Sequence, residues 1–270
     1  LLYVNGIQRQ SSAIASNGST TFSNVAFAAG DRIVVVRDDS NGSSAFTIAD
    51  ADAAANGLAM VAVNANTGQV ALAFEGTGSF SNAQLIGAYA GVNGDRRPFA
   101  ANGNDVDFNR ANENIAVTGG QDNGDTTTWT PGGAVTVSQA TSSITVMTRG
   151  NAVGNISFGN GDILTLNGTA TALQINVGST VTFNTGSSAS VAAGQTDGAG
   201  SLVINSSYTG QVVSSAGSIS LGAGASLSAT DLSVGTLTAD NTSTVTVTGA
   251  LTTNNQSFGI LTLTGVTSVT

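Results

Sequence analysis

The groups in this chain best placed to do chemistry are carboxylates, and they come in close pairs. Asp38 and Asp39 stand in "RDDSNGSS", Asp105 and Asp107 in "NGNDVDFNRANEN", and Asp122 and Asp125 in "GGQDNGDT". Each pair is flanked by Gly or Asn, which allow tight turns and add amide oxygens. A hard cation such as Ca²⁺ takes about six to eight oxygen ligands from a curved backbone, so these acids are candidate calcium ligands. Asp105 and Asp107 lie two residues apart and on a strand would share one face. Paired carboxylates could also suit glycoside hydrolysis. None of the loops matches the EF-hand: counted from Asp105, that pattern needs Gly at 110 and Glu at 116, where Arg110 and Ala116 stand. "GNGDILTL" (159–166) approaches the glycine-rich calcium-binding nonapeptide but lacks its glycine spacing. The plain alternative is that Asp and Asn populate β-turns and bond the local backbone. The sequence favours an ion-binding or turn-forming loop over a catalytic pair.

Composition removes much other chemistry. The chain has no cysteine, no histidine and no lysine, and all its cations are arginine. The usual zinc, copper, haem and iron–sulfur ligand sets are therefore missing. So are Ser-His-Asp, Cys-His and lysine Schiff-base catalysis. One Trp and three Tyr leave few platforms for a sugar, so no enzyme is expected. The net charge of −9 repels phosphates and anionic lipid, which argues against nucleic acid and membrane surfaces as partners. Arg96-Arg97-Pro98 is the one double cation, an anion clamp or a partner for local Asp. Asn17, Asn41, Asn167, Asn205, Asn241 and Asn255 head glycosylation-acceptor triplets, several of which chance alone would produce here. No 18-residue apolar run is visible, so no membrane span is expected.

The elements that must hold these loops read as all-β. Val, Ile and Thr abound between Gly and Asn punctuation, which argues against disorder. Residues 1–149 hold every arginine and most of the acids, which suggests one domain over 1–149 and a second over 150–270. In the first, "DRIVVVRDD" (31–39), "AFTIAD" (45–50), "GLAMVAV" (57–63) and "QVALAFEG" (69–76) are strand candidates, with a short helix near 50–57 as an alternative. Their spacing predicts a β-sandwich-like domain. In the second, "DILTLNG" (162–168), "ALQINVG" (172–178), "TVTFNTG" (180–186), "SLVINSS" (201–207), "SISLGAG" (218–224), "TVTVTG" (244–249) and "ILTLTG" (260–265) vary one phrase. Alternation sends Leu, Val, Ile and Phe to one face and Thr, Ser and Asn to the other. Such strands need stacked neighbours to bury that face. The spacing is irregular, and a parallel β-helix (solenoid) is predicted, with a second β-sandwich as the alternative. Leu164 with Leu166, Val245 with Val247, and Leu261 with Leu263 should point inward. The apolar "LLYVNGI" (1–7) is expected to pack on another subunit by adding a strand to its edge.

Acidic, lysine-free and cysteine-free, full of Gly, Ala, Ser, Thr and Asn, the chain resembles bacterial surface-layer proteins and large secreted β-rich adhesins. The resemblance is compositional over the whole chain and strongest at 156–270. It implies an extracellular, cell-surface location and self-assembly into a layer, sheath or filament with Ca²⁺ at subunit contacts. The partners it implies are copies of the chain itself and cell-surface polysaccharide. The stalk or binding segment of an adhesin is the second expectation, and a carbohydrate-active β-helix enzyme the third.

Overall fold

A four-residue strand with alternating apolar and polar side chains has one face to bury and nothing of its own to bury it against. How this chain meets that constraint is seen in a computed structural model. It describes residues 2–4, 7–13, 20–26, 33–39, 58–64, 70–75, 78–83, 100–108, 113–118, 124, 126–138, 143–149, 151–167, 172–257, 260–263 and 268–269.

The protein is all-β, with the strands joined in one hydrogen-bonded system. The first are β1 (Leu2–Val4), β2 (Ile7–Gln10), β3 (Ile33–Asp39), β4 (Leu58–Asn64) and β5 (Val70–Glu75). Next come β6 (Gly78–Phe80), β7 (Ala100–Asn102), β8 (Asp105–Phe108), β9 (Glu113–Thr118) and β10 (Thr126–Trp129). They are followed by β11 (Val135–Val137), β12 (Ser143–Arg149), β13 (Ala152–Phe158), β14 (Ile163–Leu166), β15 (Ala172–Ile175) and β16 (Thr180–Phe183). The last are β17 (Ser188–Gly198), β18 (Ser201–Ile204), β19 (Ser207–Leu221), β20 (Ser226–Ala239), β21 (Thr244–Val247), β22 (Ala250–Ser257), β23 (Ile260–Leu263) and β24 (Ser268–Val269).

From β8 onward nearly every pairing is parallel, and the chain visits three ladders in rotation. The first runs β8, β11, β14, the start of β17, β19 and β20, then β21 and β23. The second runs β9, β12, β15, the end of β17, the middle of β19 and β20, then β22 and β24. The third runs β10, β13, β16, β18 and the ends of β19, β20 and β22. One exception is a short antiparallel contact between β12 and β13. β20 passes through all three ladders in 14 residues. In the first ladder Val106, Val135, Leu164, Ala189, Tyr208, Leu227, Val245 and Leu261 lie in register over one another. Their separations in sequence fall from 29 residues at the start to 16 at the end, while the strands stay about 4.8 Å apart. The ladder strands are kept and the connections shorten, so no strict sequence repeat exists. The ladders also run without a break across residues 149 and 150, where the composition changes.

Alternation decides what faces in. β13 alternates buried and half-buried residues along its whole length. Leu164, Leu166, Val245 and Val247 are fully buried, as the two-residue spacing requires. Leu261 and Leu263 have described backbone only. The core they join is apolar from Phe74 to Leu251. At its N-terminal end Trp129 stacks on Phe74 with ring centroids 5.3 Å apart and meets Phe108 edge-on. One coil step apart, Phe158 and Phe183 stack at 4.6 Å. Each such side chain contributes roughly 1.5–3 kcal/mol when fully buried.

The corner from the third ladder to the first is a four-residue turn repeated coil after coil. It spans Gly159–Asp162, Asn184–Ser187, Gly222–Ala225 and Asp240–Ser243, each closed by the fourth N–H donating to the first carbonyl. Gly161, Gly186 and Gly224 sit third in their turns with φ of 86°, 83° and 70°, the left-handed backbone that a type II turn demands there. In the last turn Thr242 takes that place, and Asp240 begins the turn by accepting from the Thr242 N–H.

Upstream of the coils, directions are mixed. β1 runs antiparallel to both β2 and β3, β3 is parallel to β4, β4 antiparallel to β5, and β5 parallel to β9. The expectation that residues 1–7 dock on another subunit is corrected here. β1 is paired on both edges within its own chain, and Leu2 and Val4 are buried there. Residues 45–50 and the helix alternative near 50–57 lie outside the described residues.

The alternation makes a sharp prediction. Val247→Asp places an unpaired charge in the core and should cost at least about 3 kcal/mol. Thr246→Asp, one residue away on the outer face, should cost no more than about 0.5 kcal/mol. Thermal melts of the two variants check this; equal melting temperatures would contradict the assignment of faces.

Candidate functional site

The stretch that holds Asp105 and Asp107 is a hairpin. β7 runs antiparallel to β8, with Asn102 opposite Asp105 and only Gly103 and Asn104 between them. Gly103 has φ 62°, and glycine at the first position of a two-residue loop is the mark of a type II′ hairpin turn. Along β8 the residues alternate, so Val106 and Phe108 are buried and the two acids share the outer face.

Both carboxylates are engaged by the next coil. Oδ1 of Asp105 accepts the Ala134 N–H at 2.8 Å, and Oδ1 of Asp107 accepts the Ser138 hydroxyl. Asp162, which is almost completely buried, reaches the same turn from the other side. Its Oδ2 accepts the Gly159 N–H at 2.7 Å within its own turn and the Gly132 N–H at 3.2 Å one coil back. Asn82 completes the arrangement. Its amide nitrogen donates to the Ala134 carbonyl, its Oδ1 accepts from the Trp129 indole N–H at 3.0 Å, and its backbone N–H donates to the Pro131 carbonyl. The turn at residues 131–134 is thus held by Asp105, Asp162 and Asn82 together. Further along, Asp231 accepts the Ala250 N–H at 2.8 Å across a coil step.

The other predicted ligands are not brought to this place. Asp38 and Asp39 end β3, opposite Val63 and Asn64, and their side chains are outside the described residues. Asp122 and Asp125 lie outside the described residues altogether, as do Asp95, Arg96 and Arg97. Among the described residues no three of Asp, Glu, His or Cys form a group that could hold a metal. Asp162, Asp231 and Asn82 were not anticipated as positioning residues. The signal for Asp162 was present, because "GNGD" places an acid at the close of a glycine turn. Nothing in the local sequence marks Asn82, whose partners lie 47 and 52 residues away.

Among the described residues, two acids have perturbed ionisation. Hydrogen bonds from the Thr242 hydroxyl and N–H hold the exposed Asp240 carboxyl below its usual range. Partial burial raises that of Asp197, against the opposing pull of the Gln174 side chain. Deeper in, the Tyr208 hydroxyl meets the Thr196 hydroxyl in the core, and burial pushes the phenol well above its usual range, so it stays neutral. The arrangement fits the holding of backbone and core polar groups.

No protein-family model, no curated protein and no solved structure matches the chain. Among the described residues no helix is long and apolar enough to cross a membrane, a statement that does not bear on strands.

If Asp105 serves the backbone of the next coil, its acceptor oxygen matters and its charge does not. Asp105→Ala should lower monomer stability by about 0.5–1.5 kcal/mol, while Asp105→Asn, which keeps an oxygen to accept the Ala134 N–H, should restore most of it. Urea melts in excess chelator read this directly. Equal losses in both variants would place the role in the charge instead.

Proposed function

We propose that the chain is a structural subunit of a self-assembling extracellular layer, sheath or filament, and not an enzyme. The observation that carries this reading is the run of in-register parallel ladders whose outer columns are uncharged from Thr136 onward on the first ladder and from Asn155 onward on the third. Thr136, Thr165, Ser190, Thr209, Ser228 and Thr246 lie over one another on the first ladder. Asn155, Thr180, Ser201, Ser218, Thr236 and Asn255 do so on the third. On a molecule of charge −9, a neutral, regular face is where copies can approach without repulsion. A solenoid of this kind, with the N-terminal strands joined to it through β5, is a natural rigid building element.

Calcium enters as the counter-ion between copies. Asp105 and Asp107 project from one outer face but supply too few oxygens to complete a calcium shell, so a second copy would provide the rest. Asp38, Asp39, Asp122 and Asp125 belong to the same proposal on sequence grounds. Mg²⁺ should substitute poorly because it demands a tighter octahedron.

A cleft of about 370 Å³ lined by Arg9, Gln10, Ser23, Asn24, Val25 and Ala26 supports a second reading, as the binding segment of an adhesin. Its polar side chains suit a cell-surface polysaccharide or protein.

Negative-stain microscopy of purified protein with Ca²⁺, with Mg²⁺ and with excess chelator separates the two. The structural reading predicts ordered polymers in Ca²⁺ that dissolve in chelator, and weaker assembly when Asp105→Asn and Asp107→Asn are combined. Discrete monomers in every condition, together with binding to a surface glycan, would favour the adhesin reading instead.

A further inference from the structure

Parallel ladders invite their own extension. The last strand in a ladder presents a row of N–H and C=O groups that another chain can pair with. In this molecule the N-terminal end of each ladder is closed by strands that are short or lead away from the coil. On the third ladder, β6 has only three residues beside β10. On the second, β5 is followed by the antiparallel β4 and the mixed strands beyond it. On the first, β7 lies antiparallel across the edge of β8, in a ladder whose other pairings are all parallel. A reversed strand of three residues cannot serve as the template for another parallel coil in the existing register.

We propose that the hairpin β7–β8 is a growth stop. Closed, it denies the edge of β8 to a second copy of this chain; displaced, it leaves that edge as an acceptor for a strand from the second copy. The occupant follows from the register. Within one chain β8 already pairs with β11, putting Val106 beside Val135, Asp107 beside Thr136 and Phe108 beside Val137. An incoming strand must likewise offer an apolar, hydroxyl, apolar sequence, and "LTL" at 261–263 of the second copy does so in β23, the last strand of the first ladder, whose one described partner is β21.

The hairpin is built to stay shut. The two-residue turn needs the left-handed backbone at Gly103. Asp105 ties its near end to Ala134 of the next coil. The turn also sits so close to that coil that a side chain at Gly133 would come within 2.5 Å of the Asn104 carbonyl oxygen. The acidic stretch singled out in the sequence is, on this account, an edge closure first.

The stop has meaning for the organism under the assembly reading, but its test stands apart from it. All measurements are made in excess chelator, so that calcium-bridged polymers of the parent chain do not contribute. Gly103→Val forces a β-branched residue into the left-handed region and should open the turn. Sedimentation should then show a fraction of large species that rises with concentration, above the parent at each concentration. Buried Trp129 should keep its blue emission, showing that the coils remain folded. Adding Ala100→Cys and Asp107→Cys, which face each other across the hairpin in a chain with no other cysteine, gives the control. Oxidised, this Gly103→Val chain should stay monomeric; reduced, it should assemble. A folded Gly103→Val that remains monomeric at all concentrations, or equal assembly of the oxidised and reduced forms, overturns the proposal. If Gly103→Val loses Trp129 burial, Asn102→Pro in β7, which removes an N–H that bonds across the hairpin, is read in its place by the same two outcomes.

Discussion

The structure depends on a parallel backbone ladder repeated on three sides of a coil. Each coil's N–H and C=O groups are satisfied by the coils before and after it, so no coil is complete alone. The same pairing fixes which side chains meet. Because parallel strands stack like over like, Leu164 lies between Val135 and Ala189, and Ile156 between Trp129 and Val181. A slip of one residue would exchange the inward Leu, Val and Ile for the residues between them, mostly Thr and Ser. Backbone pairing and apolar burial therefore enforce one register between them.

Polar groups inside this scheme are few, and most are answered; the buried Ser179 hydroxyl is an exception. Where a hydroxyl replaces a hydrocarbon in the inward column of the second ladder, at Thr196, the Tyr208 hydroxyl of the first ladder meets it. Where corners bring carbonyls and N–H groups to the edge of the core, Ser187 and Ser243 bond the carbonyl three residues back, and Asp162 takes two N–H groups. Where their bonds are described, the carboxylates that look like chemistry in the sequence are spent on the next coil, Asp105 on a backbone N–H and Asp107 on the Ser138 hydroxyl. A carboxylate that accepts N–H groups from two coils ties the stack along its axis, which apolar burial alone does not do.

Much of the fold was legible in the sequence, for a stated reason. "ILTL", "TVTF" and "TVTV" alternate without a break, and β14, β16 and β21 form there. The most complete coil, β20, was not among the expected phrases, because "SLSATDLSVGTLTA" turns two corners inside one strand and breaks alternation at Asp231 and Gly235. "SISLGAG" looked like a strand of its own and is the last side of β19, for the same reason. Local alternation is identical for parallel and antiparallel neighbours, so the expectation of parallel strands rests on the need to stack short strands and leaves a second sandwich open. The charge content of residues 1–149 drew attention to loops and away from "VTV" and "SITV", which belong to the same ladders as the later phrases. At the candidate site, an Asp beside Gly reads equally as a metal ligand or a turn residue. Only the partner, such as the Ala134 N–H for Asp105, tells them apart, and that partner is set by the coil step and not by the local sequence.

The central claim is that the outer residues Thr136, Thr165, Ser190, Thr209, Ser228 and Thr246 form one straight column. Pulsed electron-spin distances between labels on cysteines introduced at Thr136 and at each later position in turn test it most directly, since the chain has no native thiol. The account predicts that the separation grows by about 4.8 Å with each successive position, reaching about 24 Å at Thr246. Separations that rise and fall along the series, as antiparallel strands of a sandwich would produce, would contradict it.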